Sequence, residues 1–176
     1  EGDADASRSA DAAPRMPSST LLGRLNDTTV FIAGVAGPDI STGTGLLVSE
    51  RHVLTNHHVV DGVAEGTIRI ANRNFARPLG ARIVANTPGS PFGGGDFALL
   101  ELEQAIPAQP LPMAGAPQPL DPVVAAGYPA FVIQSDPEFV AAFQNGELER
   151  LNGMQMAFTE GAVTNKQPGA GGVTII

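Results

Sequence analysis

The 176-residue chain has no cysteine, no tryptophan and a single lysine, Lys166. Without cysteine it can form neither a disulfide framework nor a thiolate-bound zinc site. No apolar run reaches the 18 residues that a membrane-spanning helix needs, so we expect no membrane span. The net charge is −8 and the arginines are dispersed. Because proteins that bind nucleic acid carry basic patches, we expect no nucleic acid as a partner.

Glycine and proline, in contrast, are abundant. The 21 glycines and 15 prolines make up about a fifth of the chain, and 43% of the residues are hydrophobic. This hydrophobic fraction is that of a globular protein. Turn-forming residues scattered through such a chain favour many short strands over a few long helices. The composition therefore predicts an all-β protein.

Six short β-type segments between residues 28 and 103 support this prediction. Their number and spacing are typical of a small β-barrel, which we place at residues 25–105. Residues 1–24 begin with a stretch rich in Ala, Asp, Ser and Pro that has no apolar periodicity, and they are predicted to be a flexible N-terminal tail. The six segments lie at residues 29–32, 41–49, 53–55, 67–71, 82–85 and 97–102.

Prolines dominate the next segment. Six of them lie between residues 107 and 122, a density that excludes regular structure, so residues 106–122 are predicted to be a connector. A second strand-rich unit is predicted at residues 123–176. Within it, residues 138–143 have apolar positions at helical spacing and predict one short helix. The strand candidates of this unit are residues 123–128, 154–163 and 173–176.

The three histidines, His52, His57 and His58, are the first candidates for chemistry. Two adjacent histidines on a strand point to opposite faces, so they cannot easily bind one metal ion together. No cysteine and no further histidine supplies additional ligands. We therefore predict no metal site.

Two segments carry a more specific pattern. Residues 53–60 read Val-Leu-Thr-Asn-His-His-Val-Val, and residues 96–100 read Asp-Phe-Ala-Leu-Leu. They resemble the histidine and aspartate segments of chymotrypsin-fold serine proteases, in particular the bacterial HtrA-like and trypsin-like peptidases. By this resemblance the catalytic histidine is His58 and the catalytic aspartate is Asp96. His57 remains the alternative to His58.

Two later segments match the same family in the same order. Residues 127–129 (Gly-Tyr-Pro) resemble the tripeptide that opens the second barrel, and residues 161–164 (Gly-Ala-Val-Thr) resemble a later strand. The resemblance thus covers residues 28–176. It implies two six-stranded antiparallel β-barrels, of which the second is incomplete in this chain. Secreted eukaryotic members usually carry disulfides, so the lack of cysteine favours a bacterial protein.

The resemblance implies a serine endopeptidase that acts on polypeptides and needs no metal or organic cofactor. His58 would take the proton of the serine and pass it to the leaving amine, and Asp96 would orient the imidazole. The implied location is periplasmic or secreted.

The nucleophile is missing from this pattern. Family members carry the serine in a Gly-Asn-Ser-Gly-Gly or Gly-Asp-Ser-Gly-Gly turn, and none of the eight serines has that context. We therefore expect the catalytic serine to lie outside this chain and the 176 residues alone to be inactive. The partner would then be a C-terminal fragment that carries the serine. The alternatives are a truncated sequence, a catalytically inactive trypsin-like module that binds proteins, and a non-enzymatic all-β binding domain.

Overall fold

A computed structural model describes residues 20–87, 95–129, 136–168 and 174–175. Most of the predicted tail, Ser90 and Ser135 lie outside these ranges. In chain order the elements are α1 (Leu21–Thr28), β1 (Thr29–Ala36), β2 (Asp39–Leu47), β3 (His52–Thr55), α2 (His57–Val60), β4 (Arg69–Ala71), β5 (Leu79–Thr87), β6 (Phe97–Leu102), β7 (Pro122–Gly127), α3 (Pro137–Gln144), a 3-10 helix (Leu148–Gly153), β8 (Ala157–Ala162), β9 (Gln167–Pro168) and β10 (Thr174–Ile175).

Strands β1 to β6 form a closed antiparallel barrel in the order β1-β2-β3-β6-β5-β4. The six strands predicted from the sequence are confirmed, and all of them fall within residues 25–105. The ring closes where β1 pairs with β4, with Phe31 opposite Ala71. The register of β5 against β6 shifts between Ile83 and Ala85, which places a bulge in β5.

The barrel is filled by side chains that alternate along its strands. Because successive residues of a strand point to opposite faces, Val30 and Ile32 point into the barrel while Phe31 and Ala33 point out of it. The inward residues form one buried apolar cluster, whose members include Val30, Ile32, Leu47, Val53, Ile70, Leu79, Leu100 and Leu102.

The outward face of β1 packs against the second unit. The Phe31 ring contacts the Tyr128 ring edge-on, with 5.4 Å between the ring centres, and contacts the Phe139 ring in the same way at 5.9 Å. Such edge-to-face contacts add to the stability gained by burying the rings. A second buried cluster therefore lies between the barrel and α3.

A hydrogen bond also joins the two units at the end of β7. The Tyr128 backbone N–H donates to Thr44 Oγ1 at 2.8 Å, and the Thr44 carbonyl accepts from the Thr55 hydroxyl at 2.8 Å. Gly127 permits this approach, because a Cβ there would lie 2.9 Å from Thr44 Oγ1. Thr44 thus connects β7 to β3, the strand that precedes the two adjacent histidines.

The described part of the second unit holds two strand pairs, α3 and the 3-10 helix. β7 pairs with β8, and β9 pairs with β10, so the residues described here show no closed second barrel. The predicted helix is present as α3. Asp136 caps it by accepting the backbone N–H groups of Glu138 and Phe139, and Pro137 occupies its first turn. None of the helices in the described part of the chain has the length and apolar character needed to cross a bilayer.

The helix α1 was not predicted, since residues 21–24 were assigned to the flexible tail. Leu21 and Leu22 are exposed, so their burial does little to hold α1 in place. A hydrogen bond from a distant residue fixes its end instead. The buried Asn72 side chain donates to the carbonyls of Asn26 and Thr29, each at 2.8 Å.

We predict that Gly45→Ala lowers the free energy of unfolding by about 1–3 kcal/mol, the usual range for overpacking a core. A Cβ at Gly45 would lie within contact distance of Val53 and 2.8 Å from Ile32 Cδ1. Urea unfolding followed by circular dichroism measures the change. Gly115→Ala is the matched control, because a Cβ there meets no atom within 4 Å. Equal stability of the two variants would contradict the packing described for β2.

Candidate active site

The register between β3 and β6 brings two distant parts of the chain together. Thr55, the last residue of β3, lies opposite Ala98 near the start of β6. Because the strands are antiparallel, the residues that follow Thr55 meet the residues that precede Ala98 at one edge of the barrel. This pairing places Asn56 and His58 beside Asp96.

His57 and His58 lie on a short helix, which corrects the assumption that they occupy a strand. Asn56 is extended, with φ −78° and ψ 145°, and α2 begins directly after it. Val59 and Val60 are buried in the barrel core, whereas the His58 side chain is 71% exposed. Burial of the two valines holds α2 against the barrel, and the His58 side chain is left at the surface.

Asp96 holds His58 at two points. Its Oδ2 lies 2.6 Å from His58 Nδ1, and its Oδ1 accepts the His58 backbone N–H at 3.0 Å. An ionised carboxylate can only accept hydrogen bonds, so the imidazole proton resides on Nδ1. In the neutral ring this leaves the Nε2 lone pair open to the surface.

Two residues that the sequence did not point to hold the backbone around Asp96. Asn56 Nδ2 donates to the Asp96 carbonyl at 3.1 Å. The Thr87 hydroxyl donates to the Gly95 carbonyl at 2.6 Å and accepts the Phe97 backbone N–H at 3.0 Å. Asn56 lies within the histidine segment, residues 53–60, so the sequence pattern could have identified it as a site residue. Thr87 is nine positions from Asp96 and only the β5–β6 register reveals it.

The pKa of Asp96 is lowered below its ordinary value. Partial burial of the carboxyl raises the pKa, but the hydrogen bonds from the backbone and ring of His58 outweigh this effect. The charge of the His58 ring and the backbone N–H of His57 lower the pKa further. Each of these contacts favours the ionised form, so Asp96 is a carboxylate at neutral pH.

The other two histidines lie apart from this contact. His52 is at the opposite end of β3, where its Nδ1 shares a 2.8 Å hydrogen bond with Ser49 Oγ in the turn after β2. The His57 ring makes no hydrogen bond among the described residues. The structure therefore brings His58, and not the alternative His57, into side-chain contact with Asp96. In the same ranges no three His, Asp or Glu residues cluster as metal ligands would.

Of the eight serines, only Ser41 and Ser49 fall in the described ranges. The Ser41 hydroxyl donates to the Val59 carbonyl at 2.7 Å. Ser49 Oγ accepts the backbone N–H groups of Arg51 and His52 and bonds the His52 ring. Neither of the two bonds to the ring of His58.

Comparison with known protein families decides the affiliation of the chain. Residues 43–174, about three quarters of the sequence, match the model of the trypsin-like peptidase domain. The chain belongs to this family. The matched range includes both His58 and Asp96. No curated protein matches the sequence of this trypsin-like peptidase domain.

Solved structures share the fold at low sequence identity. The active form of the Rv3671c protease from M. tuberculosis is 22% identical, with a TM-score of 0.55 over 90% of this chain and 61% of that one. The MamO protease domain from Magnetospirillum magneticum is 19% identical, with a TM-score of 0.57 over 88% of this chain and 70% of that one. The trypsin-like chain thus spans about three fifths of the length of the Rv3671c structure.

A third structural relative is a scabies mite protein described as an inactivated protease paralogue. It is 14% identical, with a TM-score of 0.56 over 81% of this chain and 60% of that one. The trypsin-like fold is therefore common to proteins described as active and as inactivated, and the similarity by itself shows the fold alone.

We predict that Asp96 makes folding stability depend on pH in the acid range. A carboxyl whose pKa is lower in the folded state stabilises the fold above its unfolded pKa, about 3.9 for aspartate. That contribution is lost as the pH falls from about 3.9 through the lower folded pKa. Urea unfolding at pH 7 and pH 3 should therefore show a smaller loss of stability in Asp96→Asn than in the unmodified chain.

Asp61→Asn serves as the control for this measurement. Asp61 is exposed beside α2, and its carboxylate makes no hydrogen bond among the described residues. The control removes the same charge near the same site. A smaller acid-induced loss in Asp61→Asn than in Asp96→Asn would contradict the prediction.

Proposed function

We propose that the chain supplies the histidine and the aspartate of a serine endopeptidase, with the nucleophilic serine outside these 176 residues. The observation that carries the proposal is the 2.6 Å contact between His58 Nδ1 and Asp96 Oδ2 in a chain of the trypsin-like peptidase family. The substrate would be a polypeptide, and the triad chemistry needs no metal or organic cofactor.

The exposed ring of His58 suits a general base that becomes a general acid. With Nδ1–H bound to Asp96, Nε2 accepts the serine hydroxyl proton while the serine oxygen attacks the carbonyl carbon of the peptide. The same proton then passes to the amide nitrogen as the C–N bond breaks and the amine leaves. A water molecule repeats these steps on the acyl-serine and releases the carboxylic acid product.

Asp96 supports this proton transfer in two ways. Its ionised carboxylate stabilises the imidazolium that forms when Nε2 takes up the proton. Its second oxygen accepts the backbone N–H of the same histidine, which fixes the carboxylate in the position from which it holds the ring. Asp96 therefore fixes the tautomer and the orientation of His58 together.

We also propose that the protein is bacterial and periplasmic or secreted. The absence of cysteine supports a bacterial origin, because extracellular eukaryotic proteases usually contain disulfides. The location rests on the resemblance to HtrA-like peptidases.

The alternative function is a catalytically inactive trypsin-like module that binds proteins. One observation favours it: neither serine in the described ranges bonds to the ring of His58. The scabies mite relative, described as an inactivated protease paralogue, has the same fold. An inactive module would keep the barrel and its surface without needing a nucleophile.

Labelling with a fluorophosphonate tests the proposal. A denaturing mass spectrum of the purified protein first shows whether a serine-bearing polypeptide accompanies the 18.1 kDa chain or extends it. We expect that polypeptide to be labelled. Asp96→Asn should slow labelling and peptide cleavage by about 10⁴-fold, and His58→Ala by up to about 10⁶-fold, the scale known for losing the corresponding member of such a triad.

Asp61→Asn is again the control, since it changes a nearby charge without touching Asp96. It should keep the labelling rate of the unmodified protein. Labelling that survives His58→Ala would rule out the proposed role of this histidine. No labelling of any species, with no cleavage of unfolded protein substrates, would favour the inactive binding module.

A further inference from the structure

The helix α2 that carries His58 is only four residues long. At its ends, the Val59 N–H donates to the Asn56 carbonyl at 3.2 Å and the Asp61 N–H donates to the His57 carbonyl at 2.9 Å. Helices this short are unstable alone, because nearly all of their backbone groups lack helical partners. The position of α2 must therefore be set by contacts from outside the helix.

Strand β2 supplies two such contacts, and both fall on Val59. The Ser41 hydroxyl donates to the Val59 carbonyl at 2.7 Å. Two residues further along β2, Gly43 lies so close that a Cβ would sit 2.6 Å from both γ-methyl groups of Val59. Residues two apart on a strand share one face, so Ser41 and Gly43 hold α2 from the same side.

The contact at Val59 is transmitted directly to the histidine. Val59 follows His58 in the chain, and the backbone N–H and the ring of His58 bind the two oxygens of Asp96. A turn of α2 away from β2 would therefore lengthen both hydrogen bonds to Asp96. We propose that Ser41 is a positioning residue, which holds α2 through the Val59 carbonyl and so keeps His58 on Asp96.

The importance of Ser41 to catalysis rests on the proposed function, whereas its structural role does not. The hydrogen bond of Ser41 joins two elements that are 18 positions apart in the sequence. Ser49, the other serine described, bonds only to Arg51 and His52 in its own turn. Replacing either serine with alanine removes one hydroxyl, but only the change at Ser41 is expected to affect His58.

Nuclear magnetic resonance of the 176-residue chain tests the claim without any need for peptidase activity. The Nδ1 proton of His58, bonded to Asp96, should give a resolved low-field signal in the unmodified chain. In Ser41→Ala we expect this proton to exchange with water at least about tenfold faster, because the local opening of α2 becomes easier. Ser41→Thr, which keeps the hydroxyl, should restore the slow exchange.

The control variant is Ser49→Ala, which should alter the ring signals of His52 and leave those of His58 unchanged. Unchanged exchange of the His58 proton in Ser41→Ala would overturn the proposal, as would equal acceleration in Ser49→Ala. If Ser41→Ala does not fold, Ser41→Cys replaces it, because the thiol keeps the size and is a weaker donor. Exchange as slow in Ser41→Cys as in the unmodified chain would then overturn the proposal.

The outcome is separable from that of the proposed function. Faster exchange in Ser41→Ala supports the positioning role even where no fluorophosphonate labelling occurs. In a preparation that labels, Ser41→Ala should lower kcat with little change in KM, because the change acts on the position of His58.

Discussion

The pairing of β3 with β6 is the constraint on which the candidate site depends. It places the end of one strand beside the start of another, so that residues 38 positions apart share two hydrogen bonds. Neither His58 nor Asp96 is buried deeply enough to be fixed by packing alone. The barrel core fixes their positions, and the pair lies at the rim of the barrel.

Strand β2 shows how one short sequence serves three purposes. Its glycines at positions 43 and 45 leave room for Val59 and for the barrel core, respectively. Between them, Thr44 points the other way and accepts the backbone N–H of Tyr128 from the second unit. Gly43 and Gly45 thus lie on the face of β2 that points to the core and α2, and Thr44 lies on the face that points to β7.

The sequence predicted the parts of the fold that follow from local pattern. Six barrel strands and the helix α3 were predicted because the spacing of their apolar residues and the turns between the strands are local signals. It did not predict α1, whose end is fixed by Asn72, or the helical form of α2, which follows from the burial of Val59 and Val60. His58 and Asp96 were recognised through a family pattern, and the structure brings them into contact. Thr87 and Ser41 remained hidden, because strand register and tertiary packing alone connect them to the pair.

Closure of the barrel has a consequence for how the protein folds. β1 pairs with β4 about 40 positions away, and β3 pairs with β6 at a similar separation. Such non-local pairings form slowly, because the chain loses loop entropy before the contacts stabilise it. The histidine and the aspartate come together only when β3 pairs with β6. A chain in which these strands are apart lacks an oriented imidazole, and a proton transfer that depends on the pair requires the two strands to be paired.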